Sequence, residues 1–142
     1  FRNNVKDIYW ILLNNNSLYN KNKGNYSLKD DDNSGNPILS TEILLNNVKL
    51  VELDGTYTNY VIPYERYNST PSDGVNVYSF NLNNFEYQPS GSLNFSMLDR
   101  VEMKMNLDSS LDINSNMKVL VFGNSYNILR IMSGLAGLAF IE

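Results

Sequence analysis

The chain has 142 residues, a formal charge of −4, no cysteine and no histidine, so it holds enough apolar material for the core of one domain but not two. The acidic balance argues against a face that grips nucleic acid. The two missing residue types remove disulfides, thiolate nucleophiles, imidazole bases and the commonest metal ligands, and most enzyme classes with them. No run approaches the roughly 18–20 apolar residues that span a bilayer; Ile128–Ile141 is short and broken by Arg130, Gly134 and Gly137.

The sequence opens on Phe1 without a signal-peptide pattern, and the expectation is that it is the tail of a longer polypeptide. Val5–Leu13 is almost continuously apolar and reads as a buried strand, although periodicity alone leaves a helix open. Asn14–Pro37 then turns abruptly polar, with no repeating apolar position, and is expected to be a long, variable surface loop. Ile43–Leu45 and Val48–Leu53 flank Asn46-Asn47, whose asparagines tolerate the positive φ of a tight turn, so a hairpin is expected. Gly55–Gly74 carries Tyr57, Tyr60, Tyr64 and Tyr67 between prolines and reads as an ordered connection with one short element.

Val75–Leu82 alternates, with Tyr78, Phe80 and Leu82 on one face. Arg100–Leu107 has the cleanest period of two: Val101, Met103, Met105 and Leu107 face inward, while Arg100, Glu102, Lys104 and Asn106 face water. Met117–Phe122 is apolar on both faces, and Tyr126–Met132 continues it after an expected bulge or bend at Gly123-Asn124. Six or seven strands without a long amphipathic helix predict an all-β antiparallel sandwich, one or two strands short of an eight-stranded jelly roll.

Few motifs carry chemistry. Ser115-x-x-Lys118 has the spacing of a serine–lysine nucleophile but lacks the companion motifs. Asp30-Asp31-Asp32-Asn33-Ser34-Gly35 starts like a calcium loop, yet the closing Glu42 comes one place late, Pro37 intrudes and flanking helices are lacking, so a solvated acidic loop is the better reading. Neither a cofactor nor a metal is expected. Sequons at Asn15, Asn25, Asn68 and Asn94 are what abundant asparagine produces by chance, and the Asn94 side chain is expected to hydrogen-bond a turn. Gln88-Pro89-Ser90-Gly91 is a turn module. Arg130, set among Ile128, Leu129, Ile131 and Met132, must reach an edge or find a partner, for which a carboxylate is expected. Ser133-Gly134 and Ala136-Gly137 suit close backbone approach at a terminal strand or subunit contact, or an ordinary tight turn.

Two blocks, QPSGSLNFSMLD at Gln88–Asp99 and SYNILRIMSGLAGLAF at Ser125–Phe140, stand in an order and spacing too long to recur by accident. With VYSFNL at Val77–Leu82, ILLNNVKL at Ile43–Leu50 and VKDIYWIL at Val5–Leu12, they make the chain similar to the end of the major capsid protein of the nucleocytoplasmic large DNA viruses, the iridovirus-, phycodnavirus- and mimivirus-like group. The resemblance covers the chain apart from the polar insert. Met97 stands where the family usually has arginine, and Leu135, Ala136 and Gly137 replace a Met-Gly-Gly ending; no contact of that arginine is carried over.

The resemblance implies a structural protein of the virion, assembled in the host cytoplasm: the later part of the second roll of a double jelly roll, with the first roll upstream. It further implies a homotrimeric, pseudo-hexagonal capsomer, contacts with neighbouring capsomers and minor capsid proteins, and an upstream segment or another chain that completes the roll. Gln88, Pro89, Ser90, Gly91, Asn94, Arg130, Gly134 and Gly137 are the candidates for structure and assembly. The alternatives are a carbohydrate-binding jelly roll using the tyrosines at Tyr57–Tyr67 as stacking platforms, and a minor or divergent capsid paralogue.

Overall fold

The computed structural model describes residues 3–14, 26, 35–111 and 117–140. Among them nine strands occur, β1 (Asn4–Asn14), β2 (Ile38–Leu45), β3 (Val48–Asp54), β4 (Val75–Ser79), β5 (Leu93–Asn94), β6 (Val101–Leu107), β7 (Met117–Ser125), β8 (Leu129–Met132) and β9 (Leu135–Leu138), with one short helix, α1 (Ile62–Tyr67). All strand pairs are antiparallel. β1 is the hub of the first sheet: β7 runs along one edge, while β4 and then β5 share the other. The second sheet has the order β3-β2-β6, and β8 with β9 forms a separate two-stranded ribbon.

The apolar run of β1 resolves as a strand because both its edges are paired and both its faces are covered near the middle. Its register against β7 steps from Val5↔Ser125 to Asp7↔Asn124, so Lys6 is an extra residue. That bulge reverses the side-chain alternation. Val5 before it, and Ile8 and Trp10 after it, therefore all reach the same core with Ile38 and Phe95, while Met103, Met105 and Leu107 pack on from the second sheet. The irregularity anticipated at Gly123-Asn124 is thus carried by the strand opposite, and β7 continues unbroken to Ser125.

The Asn46-Asn47 hairpin forms as expected, with φ of 48° and 66°. Asn46 also fixes the entry of β6: its N–H donates to Arg100 O at 2.8 Å, and its Oδ1 accepts from the N–H groups of Asp99 and Arg100 at 3.1 and 3.0 Å. On the outer face of this sheet Lys49 pairs with Glu42 at 3.2 Å and Glu52 at 2.8 Å in open solvent, which adds little stability.

Several boundaries differ from the sequence reading. β2 begins at Ile38, five residues before the expected Ile43. β4 ends at Ser79, leaving Leu82 exposed. Gly55–Gly74 holds a π turn at Tyr57–Val61 that runs into α1, which stops at Asn68 in the left-handed conformation (φ 50°). Met103 and Met105 alternate as expected but are only half buried. Most of the Asn14–Pro37 insert lies outside the described residues. Of its end, Pro37 is fully buried and Asn36 is a structural residue, so the polar character there serves packing.

Asn36 belongs to a buried polar knot that composition did not reveal. Its Nδ2 donates to Asn76 Oδ1 at 2.5 Å and to Gly55 O at 2.8 Å; Thr58 Oγ1 donates to the same Asn76 oxygen at 2.8 Å. Asn76 Nδ2 in turn donates to Gly74 O at 3.1 Å and Asn36 Oδ1 at 3.2 Å. The knot ties the start of β2, the helical segment and β4 together, and its interior position means that a lost partner leaves buried groups unsatisfied. Gly55 is obligatory beside it, because a Cβ there would lie 1.8 Å from Ile38 O.

Two outcomes are expected in thermal unfolding of the complete protein. Asn76→Ala should destabilise it by about 1–3 kcal/mol, the cost of orphaned buried polar groups, and Gly55→Ala by about 2–4 kcal/mol, because backbone must move. Lys49→Ala, on the solvent face, serves as the control that leaves the midpoint unchanged. A Gly55→Ala protein with the parental midpoint would contradict this packing.

Candidate assembly surface

The two sequence blocks meet at one point. Ser90 Oγ donates to Asn81 Oδ1 and accepts from Asn83 N–H at 2.8 Å, and Asn81 Nδ2 donates to the Tyr126 hydroxyl at 2.9 Å. Asn81 is fully buried. Burial, helped by the Asp7 charge, raises the Tyr126 pKa, and a hydrogen bond from the Ser90 backbone opposes it. The phenol therefore stays neutral and available as an acceptor. Gly91 fits because a Cβ would lie 2.5 Å from Phe80 O; Gln88 and Pro89 form the exposed lip of the same turn. The QPSG turn thus anchors the chain where β7 ends, with Tyr126 N–H donating to Asn4 O at 2.9 Å. Asn94 Oδ1 caps the 3-10 turn Phe95–Met97 by accepting from Ser96 N–H at 3.0 Å, which lowers Phe95 into the core.

The other three candidates lie on the β8–β9 ribbon. Ser133 (φ 52°) and Gly134 (φ 79°) make the two-residue turn, so of the two readings of Gly134 the tight turn is the one observed. A Cβ on Gly134 or Gly137 would meet nothing within 4 Å. Arg130, opposite Gly137, is exposed. The expected carboxylate is not found among the described residues, where Arg130 is exposed on the ribbon.

A third feature was invisible in the sequence. Ile8, Phe95, Leu98, Val101, Met103 and Val121 line an open cleft of about 380 Å³ between the two sheets. Its two sides are β6 and β7, each paired on one edge only among the described residues. This is why Met103 remains half exposed: the sandwich is uncovered along that side.

The outer face of the first sheet is different. Asp7, wholly buried, sits by the hydroxyls of Tyr9 and Tyr67, which are 2.8 Å apart. Burial raises the pKa of both tyrosines, most strongly Tyr67. One Asp7 oxygen has no partner among the described residues. The tyrosines considered as sugar platforms are thereby divided: Tyr67 is turned inward, whereas Tyr57, Tyr60 and Tyr64 are exposed and the last two have parallel rings 6.3 Å apart. Among the described residues no group of three or more potential metal ligands occurs. Asp30–Asp32 and Ser115 lie outside them.

The family described as large eukaryotic DNA virus major capsid protein matches residues 1–137. The major capsid protein of Chrysochromulina ericina virus is 40% identical over 107 residues, and that of Phaeocystis pouchetii virus 41% over 107 residues. Probable capsid protein 4 of Acanthamoeba polyphaga mimivirus is 36% identical over 106 residues. Each alignment covers 74% of this chain but only 18%, 21% and 20% of the relative, so the chain spans about a fifth of their length. Among solved structures, PBCV-1 VP54 matches all of this chain with 44% of its own, at a TM-score of 0.76 and 24% identity. The Faustovirus major capsid protein matches 85% of the chain with 28% of its own, at 0.65 and 16%. The fold is accordingly all-β and antiparallel, of the jelly-roll class. With its family-like blocks joined at Asn81, Ser90 and Tyr126, this chain belongs to the family of major capsid proteins of large eukaryotic DNA viruses.

Proposed function

We propose that the chain is the carboxyl-terminal part of the second jelly roll of a capsid subunit, and that the complete polypeptide forms trimeric, pseudo-hexagonal capsomers of an icosahedral shell. The observation that carries this reading is the uncovered side of the sandwich. An apolar cleft of about 380 Å³, flanked by two strand edges without a partner among the described residues, supports an incomplete covering of the roll, although nine strands and not the expected six or seven are present. Upstream residues of the same polypeptide supply the strands that cover it. Family membership and the names of the relatives, all shell proteins, support the same assignment.

The mechanism is burial and shape. Added strands satisfy the free edges of β6 and β7, cover Val101, Met103 and Val121, and make the roll rigid; surface loops then contact neighbouring capsomers and minor capsid proteins. The protein is a component of the virion, put together in the host cytoplasm. Catalysis has no role in this account.

Expressed alone, the 142-residue chain is expected to aggregate or to bind hydrophobic dyes, and co-expression with the upstream part of its polypeptide to return it to a soluble, cooperatively folded state. A soluble monomer of this piece with a sharp thermal transition would contradict the proposal. Native mass spectrometry of the complete protein should give particles of three subunits; a stable monomer at micromolar concentration would remove the capsomer from the account.

A further inference from the structure

We infer that Asp7, Ser79 and Asn84, on the outer face of the first sheet beside the Tyr9–Tyr67 pair, form a site for one alkali-metal cation, potassium or sodium.

Strand register brings the three residues together. Asp7 on β1 stands opposite Ser79 on β4, and cross-strand partners share a face. Ser79 Oγ donates its proton to Asn81 O at 3.2 Å, so it must accept from Asn84, whose Nδ2 lies 3.4 Å away. The amide oxygen of Asn84 is thereby the atom left over. It is buried without a hydrogen-bond partner, and so is Asp7 Oδ1. Two acceptor oxygens, one of them on a wholly buried carboxylate, are thus held next to the same serine.

The donors nearby are already used. The Tyr9 hydroxyl donates towards Asp7 Oδ2 at 3.5 Å and shares a hydrogen bond with Tyr67 at 2.8 Å, whereas Oδ1 receives none. Burial first, with the Asp7 charge adding to it, raises the pKa of both tyrosines, so neither contributes a charge of its own. Among the described residues the ion pairs join Lys49 to Glu42 and Glu52, and Arg100 to Glu102; none involves Asp7. Lys6, its neighbour in the chain, has Nζ 6.0 Å from the centre of the Tyr126 ring. A buried carboxylate without a counter-charge is costly.

A hard cation meets each of these conditions. Carboxylate, amide and hydroxyl oxygens are its natural ligands, it cancels one buried negative charge, and it needs no donor. A single positive charge fits best, because one carboxylate among neutral oxygens leaves a divalent ion half neutralised. Solvent is close at hand: Tyr9 and Tyr67 also border a cleft of about 220 Å³ with Pro63, Pro71, Val75 and Val77. An ion at this point joins β1, β4 and the loop that carries Asn81 and Ser90, and so strengthens the junction at Tyr126.

The test uses the complete protein. Its thermal midpoint is followed as potassium chloride replaces choline chloride at constant ionic strength, choline being too large for the site. The expected result is a saturable rise of a few degrees, lost in Asp7→Asn, which keeps the shape of the side chain without its charge. Crystals of the unaltered protein soaked in thallium(I), a potassium surrogate, should show anomalous density within coordination distance of Asp7 Oδ1 and Asn84 Oδ1; this arm decides the matter should Asp7→Asn not fold. A midpoint indifferent to potassium, or equally sensitive in Asp7→Asn, would overturn the inference. A midpoint that ignores potassium but moves with pH only while Asp7 is present would assign a proton to the two oxygens instead, and thallium bound only at exposed carboxylates would equally remove the site.

Discussion

β1 is the constraint on which the other elements depend. It is hydrogen-bonded along both edges, to β7 on one side and to β4 and β5 on the other, and its inner side chains, Val5, Ile8 and Trp10, are almost entirely removed from water. Burying an indole and two branched side chains contributes on the order of 5 kcal/mol by itself, and only the bulge at Lys6 lets all three point the same way. The same bulge turns Asp7 and Tyr9 outward beneath α1 and brings Ser125 and Tyr126 alongside Asn4. Core, outer helix and the foot of the terminal ribbon are thus set by one extra residue in one strand.

The chain combines closed and open regions. Around Asn36, Asn76 and Thr58, and around Asn81, Ser90 and Tyr126, polar side chains are mutually satisfied in the interior, which fixes loops against strands. Along β6 and β7 and over the β8–β9 ribbon, by contrast, apolar side chains are exposed and strand edges lack a partner among the described residues. Surfaces of the first kind are complete in themselves. Those of the second kind are open among the described residues, which is why the proposed function concerns what covers them.

Much of this was legible in the sequence because period-two alternation and turn chemistry are local. The hairpin at Asn46-Asn47 and the strand Val101–Leu107 follow directly from residue order, as does the capping role of Asn94. What escaped was non-local. The knot at Asn76 joins residues 36, 58 and 76, and nothing in asparagine-rich surroundings distinguishes its members. β9 was missed because Leu135–Leu138 is rich in small residues and pairs only after the Ser133-Gly134 reversal. The carboxylate anticipated for Arg130 is not among the described residues, where the ribbon that carries this residue is exposed.

The central claim, that the uncovered side between β6 and β7 is closed in the complete protein, is tested most directly by amide hydrogen exchange on assembled, full-length subunits. Amides of Val101–Leu107 and Met117–Ser125 should exchange as slowly as those of Asn4–Asn14, and the exposed loop at Phe85–Tyr87 should exchange fast. Rapid exchange along β6 and β7, at the rate of that loop while β1 stays protected, would show that the side remains open and would contradict the account.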